Sequence, residues 1–262
     1  MRIHSNRLSF IPVFALSLCC FLANAQTESN GIPRHLALAR ELVENIKPED
    51  NRYSLGDDIV SFPGDFFSNR YSMRADCSGF VIALFERAKY TTRSQMSFLN
   101  WSASRKKFKS EDFLHSIENE KGFKRIKSID DMRPGDVLAI ELLNAEDKSE
   151  TGVTGHVALI NSIPKKILSR KPIVEGTRQF EVSLIDSNQE PAGEDDTRVI
   201  DPSNKIQGLG KGTVRLYADS DGEVVGLART FKYSNRFFSY TPRFPSDTKP
   251  RKAAIGRPIA EN

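Results

Sequence analysis

The chain of 262 residues is 39% hydrophobic and 27% charged, a composition that supports one large folded domain, or one domain with decorations, around a sizeable core. Its formal charge of +4 comes from acids and bases interspersed along the sequence, which excludes the concentrated basic footprint of a nucleic-acid binder. There are no heptads, no internal repeats and no second apolar run of spanning length, so the chain beyond its first segment is expected to be soluble.

Met1 to Ala25 has a short basic start (Arg2, Arg7), an apolar stretch from Leu8 to Leu22 and the small-x-small ending Ala23-Asn24-Ala25. This predicts a secretory signal cleaved after Ala25, and hence a periplasmic or secreted protein without a membrane span in its mature form. Removing Arg2 and Arg7 lowers the formal charge from +4 to +2. Cys19 and Cys20 leave with the signal, and Leu18 is too large for the small residue that a lipoprotein cleavage site requires. Cys77 is then the remaining cysteine. Exported cysteines usually pair, so a single leftover thiol reads as a reactive group, the alternative being a small buried core residue.

Along the mature chain, Leu36, Ala39, Leu42, Val43 and Ile46 recur at helical spacing behind Pro33 and predict an amphipathic helix over 33–46. Residues 47 to 75 are rich in Gly, Pro, Asp and Asn and read as a long loop bordering a site. Phe80, Val81, Leu84, Phe85 and Ala88 predict a second helix over 78–89, buried on one side, with Cys77 at or just before its first turn. The unpaired amides and the dipole of a helix N-terminus favour a thiolate there, Asp76 is suited to cap the helix, and Gly79 allows close packing. Arg105-Lys106-Lys107 with Lys109, beside Trp101 and Phe108, reads as an exposed helix or loop face rather than a contact for anionic polymer.

Met132 to Ile140 reads as a turn opening a strand, Thr154 to Ile160 as a strand with His156 at its start, and Phe180 to Ile185 as a third strand ending at Asp186. Between the last two, Lys165, Lys166, Arg170 and Lys171 form a charged excursion. Glu194-Asp195-Asp196 with Arg198 reads as a solvated loop, and Gly208-Leu209-Gly210-Lys211-Gly212 as a flexible turn into a strand, since it lacks the ending and following helix of a phosphate loop. Asp219-Ser220-Asp221-Gly222 lies between the alternating runs 213–217 and 223–227 and predicts a hairpin turn rather than a calcium loop. Pro242 to Arg251 is expected to be extended, with Ala254 to Arg257 returning as an edge strand. His35 and His115 lack metal-ligand partners at useful spacing, and no metal or cofactor is expected.

Cysteine, histidine and acid therefore arrive in that order on a helix start and two strand positions. With the strands adjacent, Asp186 orients the His156 ring while its other nitrogen accepts the Cys77 proton, the logic of a nucleophile, base and orienter. Asp76-Cys77-Ser78-Gly79-Phe80-Val81, Arg133-Pro134-Gly135-Asp136-Val137 and Gly155-His156-Val157-Ala158-Leu159-Ile160, in this order, resemble the NlpC-type cysteine peptidases that cut bacterial cell-wall peptides. The resemblance implies an α+β papain-like fold, with the nucleophile opening a helix that packs on an antiparallel sheet, and residues 26–262 as a single hydrolase domain with insertions. It implies metal-free hydrolysis of amide bonds in peptidoglycan stem peptides, typically beside D-glutamyl and diaminopimelyl residues. Cys77 is then the nucleophile, His156 the base and Asp186 the orienter. Tyr53, in Tyr53-Ser54-Leu55-Gly56-Asp57 where the family often has Tyr-x-x-Gly-Gly, is a substrate or oxyanion contact, and Asp76 and Ser78 flank the nucleophile as substrate-binding positions. A monomer acting on a peptidoglycan peptide or another amide is expected. The contrasting expectation, drawn from the enlarged spacings and the altered tyrosine segment, is a wall-binding module on the same fold without turnover.

Overall fold

The computed structural model describes residues 31–65, 68–90, 107–144, 154–230, 236–244, 246 and 248–259. The signal over 1–25, and Trp101, Arg105 and Lys106 of the basic run, lie outside them. In chain order the elements are α1 (Arg34–Asn45), β1 (Asn51–Tyr53), β2 (Asp58–Ser61), β3 (Ser72–Ala75), α2 (Cys77–Ala88), α3 (Ser110–Glu118), β4 (Phe123–Ile126), β5 (Val137–Leu142), β6 (Gly155–Ile160), β7 (Lys165–Lys166) and β8 (Arg178–Asn188). They continue with β9 (Val199–Asp201), β10 (Asn204–Lys205), β11 (Gly208–Ala218), β12 (Val224–Arg229), β13 (Phe238–Ser239) and β14 (Arg251–Pro258), with single 3-10 turns at Pro48–Asp50 and Ile129–Asp131.

The chain is thus α+β. One antiparallel sheet runs β13-β12-β11-β8-β6-β5-β14-β4, with β7 paired to β8 on the side. Alternation along its strands gives two apolar faces. Val137, Ala139, Val157, Leu159 and Ile185 face the three helices, meeting Leu36, Phe80, Phe85, Phe113 and Ile117 in the main core. Each such fully buried Val, Leu, Ile or Phe side chain contributes on the order of 1.5–3 kcal/mol. Leu138, Ala158, Ile160, Val182, Leu184, Val214 and Leu216 point the other way and form a second cluster. That cluster is enclosed because the sheet curls: β13 touches β14 although they lie far apart in strand order, and Ile129 N donates to Gly222 O at 2.8 Å.

The first helix forms where expected, with Leu36, Ala39 and Leu42 buried and Pro33 as its N-cap. Its His35 donates from Nε2 to Gly135 O at 2.7 Å and so fastens the Arg133-Pro134-Gly135-Asp136 turn to α1. Burial pushes this histidine down to about 4 against the pull of that bond, so it is a neutral structural donor. The second helix is buried on more than one side, since Ile82 is enclosed along with Phe80, Val81, Leu84 and Phe85.

Four expectations need correction. Residues 47 to 75 are not one loop: β1 and β2 flank β3 in a small sheet, made of strands of three or four residues, too short for a periodic signal. The glycines at 208, 210 and 212 belong to β11 and pair with β8 along its length, as Gly210 opposite Asp186 shows. The tail strand β14 is internal, hydrogen-bonded to both β5 and β4. Asp196 and Arg198 are buried rather than solvated, at 2% and 0% exposure. The hairpin at 219–222 is present, joining β11 to β12.

Candidate active site

The path from β3 into α2 places the thiol. Asp76 caps the helix, its Oδ1 accepting from Gly79 N at 2.8 Å and from Ser78 Oγ at 2.8 Å, and Cys77 occupies the first helical position, where the backbone N–H has no intrahelical acceptor. Cys77 is a free cysteine, 7% exposed, at the wall of a cleft of about 270 Å³ that also includes Asp76, Ser78, Lys107 and Thr154. Ser78 Oγ also meets Phe108 O at 2.9 Å. The polar groups of Asp76 and Ser78 are therefore engaged in holding the helix start and its neighbour, while both residues line the space beside the thiol.

The histidine arrives from β6, paired through Ile140 opposite His156. Gly155 before it sits at φ +155°, and a side chain there would run into the Ile140 carbonyl oxygen, so only glycine lets β6 enter the sheet with His156 in place. His156 Nε2 lies 2.6 Å from Asp186 Oδ2. With Nε2 engaged, Nδ1 is the nitrogen left for the Cys77 proton. Burial by itself lowers the histidine, but the Cys77 charge, the Asp186 hydrogen bond, the Cys77 hydrogen bond and the Asp186 charge together raise it from 6.5 to about 10. The ring therefore holds its proton well above the ordinary histidine range, beside the Asp186 carboxylate.

Asp186 has a second partner that the sequence reading missed. Its Oδ1 accepts from Arg198 Nη2 at 2.8 Å, and Arg198 in turn reaches Asp196 Oδ2 at 2.6 Å, Asp196 Oδ1 at 2.9 Å through Nε, and Gly208 O at 3.1 Å. Burial favours the neutral acid, yet the Arg198 charge and the His156 bond hold the Asp186 carboxyl well below the usual carboxylate range. Space for this guanidinium comes from β11: side chains at Gly210 or Gly212 would strike Arg198 and Asp196. The alternating Gly208-x-Gly210-x-Gly212 was the available signal, because glycine at every second strand position bares one face.

Two further residues tie the halves of the site together. Next to Asp186, Ser187 points to the opposite face and donates to Ala75 O at 2.7 Å, so one strand fixes both the acid and the backbone leading to Asp76 and Cys77. Asn51 bonds both ways with Leu209, at 2.8 and 2.7 Å, and anchors β1 to β11. That strand carries Tyr53, whose register partner is Ala75. Burial, then the charges of Cys77 and Asp76, raise the Tyr53 phenol above its ordinary value and keep it a donor. All six sequence-predicted residues, Tyr53, Asp76, Cys77, Ser78, His156 and Asp186, thus line two adjoining clefts that share Tyr53 and Gly155. Among the described residues there is no cluster of three or more His, Cys, Asp or Glu able to hold a metal, and no helix long and apolar enough to cross a membrane.

No family model matches the sequence and no solved structure matches the chain. The chain is 33% identical over 176 residues to an uncharacterized protein of Acanthamoeba polyphaga mimivirus, covering 65% of this chain and 75% of the viral one. At that identity and coverage, the chain belongs to the same family as this viral protein.

Proposed function

We propose that the protein is a cysteine hydrolase that cleaves an amide bond through Cys77, His156 and Asp186, on a papain-like arrangement in which α2 packs against the antiparallel sheet. The observation that carries this reading is the 2.6 Å bond that fixes the His156 ring on Asp186, beside a helix-start cysteine whose charge acts on the same ring. The Cys77 thiolate attacks the carbonyl carbon, forming the C–S bond as the carbonyl electrons move to oxygen. On this reading the Cys77 N–H and the Tyr53 hydroxyl donate to that oxyanion. As the C–N bond breaks, His156 passes its proton to the departing nitrogen. A water molecule then gives a proton back to His156, attacks the thioester and releases the acid and the thiolate.

The three motif segments support an NlpC-type enzyme, and with it peptidoglycan stem peptides as the substrate class and export by the segment at 1–25. The test is release of fragments from muropeptides and simple peptide amides by the mature protein. Cys77→Ala is expected to abolish release with an unchanged circular dichroism spectrum. Undiminished release by that variant contradicts the reading, and saturable binding to sacculi without fragments from the unmodified protein favours a wall-binding module.

A further inference from the structure

The charged excursion between β6 and β8 ends in a fixed turn. β7 pairs with the first half of β8, Lys165 opposite Glu181 and Lys166 opposite Phe180, and Ile167 N donates to Gln179 O at 3.0 Å. The chain then turns through 168–173 and returns into β8, so these residues close the end of a two-stranded ribbon. Buried side chains grip the turn by its backbone. Gln179 Nε2 donates to Arg170 O at 2.6 Å and to Pro172 O at 3.1 Å, and its Oε1 accepts from Arg170 N at 3.0 Å. Arg215 Nη1 donates to Lys171 O at 2.8 Å, and the Tyr217 hydroxyl donates to Pro172 O at 2.7 Å. Val174, just beyond, packs against the cluster of Tyr217 and Phe237.

With its backbone held in this way, the turn directs an unusual set of side chains into solvent. Leu168 is 89% exposed and Ile173 68% exposed. Arg170 and Lys171 lie between them in the chain, Lys165 and Lys166 follow on the stem, and all four are exposed. Among the described residues no carboxylate pairs with any of these four cations. Glu175 is the acid of the segment 163–177, which therefore carries a formal charge of +3.

The charge selects what such a surface meets. A second copy docking through the same patch would set cations against cations. Six turn residues also fall well short of the roughly 800 Å² per side that a stable protein interface buries. We infer that the turn docks on the surface of an anionic lipid bilayer. Leu168 and Ile173 enter the boundary between headgroups and acyl chains, while Arg170, Lys171, Lys165 and Lys166 keep their charged ends among the lipid phosphates. An anionic wall polymer would satisfy the cations and leave both apolar side chains in water. Because the turn is already rigid, little ordering opposes the contact. Asp186 lies seven residues beyond Gln179 on β8, about 23 Å away at the usual rise of a strand. The catalytic cleft is thus at the other end of that strand from the docked turn, and the inference stands independently of the hydrolase reading.

The test is co-sedimentation of the mature chain, which lacks the apolar stretch at 8–22, with vesicles of phosphatidylcholine alone or mixed with phosphatidylglycerol. Each cation near an anionic surface strengthens binding about fivefold, so the mixed vesicles are expected to bind on the order of 100-fold more tightly, and less so at high salt. Replacing Lys165, Lys166, Arg170 and Lys171 together by Gln should abolish that preference. Leu168→Ser with Ile173→Ser should weaken binding to the mixed vesicles by about tenfold or more. Both variants should keep the parent rate of Cys77 alkylation by iodoacetamide, which reports an intact fold. Equal binding to the two vesicle types, or binding that survives the four Gln replacements, overturns the proposal. Undiminished binding by the Ser variant reduces the patch to a general polyanion contact and also overturns it, as does sedimentation with sacculi but not with vesicles. Release of fragments from muropeptides is measured separately, so failure to bind lipid leaves the hydrolase reading standing.

Discussion

Replacing Arg198 by Met keeps most of the side-chain length and removes the charge beneath the site. Arg198 is fully enclosed, and its guanidinium is the shared partner of Asp186 and Asp196, which are 4% and 2% exposed. Removing one member of a buried ion pair costs about 3–5 kcal/mol, because the charge left behind has lost both water and partner. The orphaned Gly208 carbonyl adds on the order of 1 kcal/mol, partly overlapping with that figure. A total near 4 kcal/mol at about 2–4 °C per kcal/mol for a chain of this size lowers the melting temperature by about 8–16 °C. The penalty should depend on pH. In the parent protein the depressed Asp186 carboxyl contributes stability that is present above its ordinary 3.8 and lost as pH falls toward its folded value. In Arg198→Met the buried acids gain relief by taking up protons, so the difference between the two proteins is largest at pH 7 and shrinks toward pH 4. Urea unfolding at both pH values measures this. A penalty below about 1 kcal/mol, or one equal at pH 4 and 7, refutes the claim that a buried charge on Arg198 holds the carboxylates.

The raised His156 sets a second expectation. The folded chain keeps this proton to about 10 whereas the unfolded chain releases it near 6.5, so between those values the native state binds more protons and its stability falls as pH rises. NMR titration of the His156 ring should show the raised value, and Cys77→Ser, which removes one of the charges responsible, should lower it while Asp186 still holds the ring; an unchanged titration contradicts the coupling. Ser187→Ala leaves the Ala75 carbonyl with only the longer 3.4 Å bond from Ser54 N and should cost on the order of 1 kcal/mol. Because the Ser187 bond also positions the backbone before Asp76, the Cys77 alkylation rate should drop with it, and a purely thermal effect would reduce Ser187 to a packing role.

What the sequence revealed and what it hid have physical reasons. Both long helices were legible because their apolar residues recur over three turns, and Asp76 declares itself as a cap by residue type. Cysteine, histidine and aspartate were legible as chemistry on a helix start and two strands. The strands of the small sheet carry three or four residues each, less than the alternation needs, and were hidden in a polar stretch. Arg198 looked solvated because a loop that carries Glu194, Asp195 and Asp196 is ordinarily exposed. Its burial depends on bare glycine positions on a neighbouring strand, a tertiary fact that no local pattern states. The tail strand was placed at an edge because it comes last in the chain, whereas its insertion between β5 and β4 is set by long-range pairing.

The central claim is that Cys77 and His156 act as one chemical unit. Its most direct measurement is the rate of Cys77 alkylation by iodoacetamide near pH 6.5, in the parent protein and in His156→Gln. The account predicts a reactive thiol whose rate falls by at least about tenfold when the imidazole is replaced, as expected for loss of an activating base. Equal rates in the two proteins would contradict it.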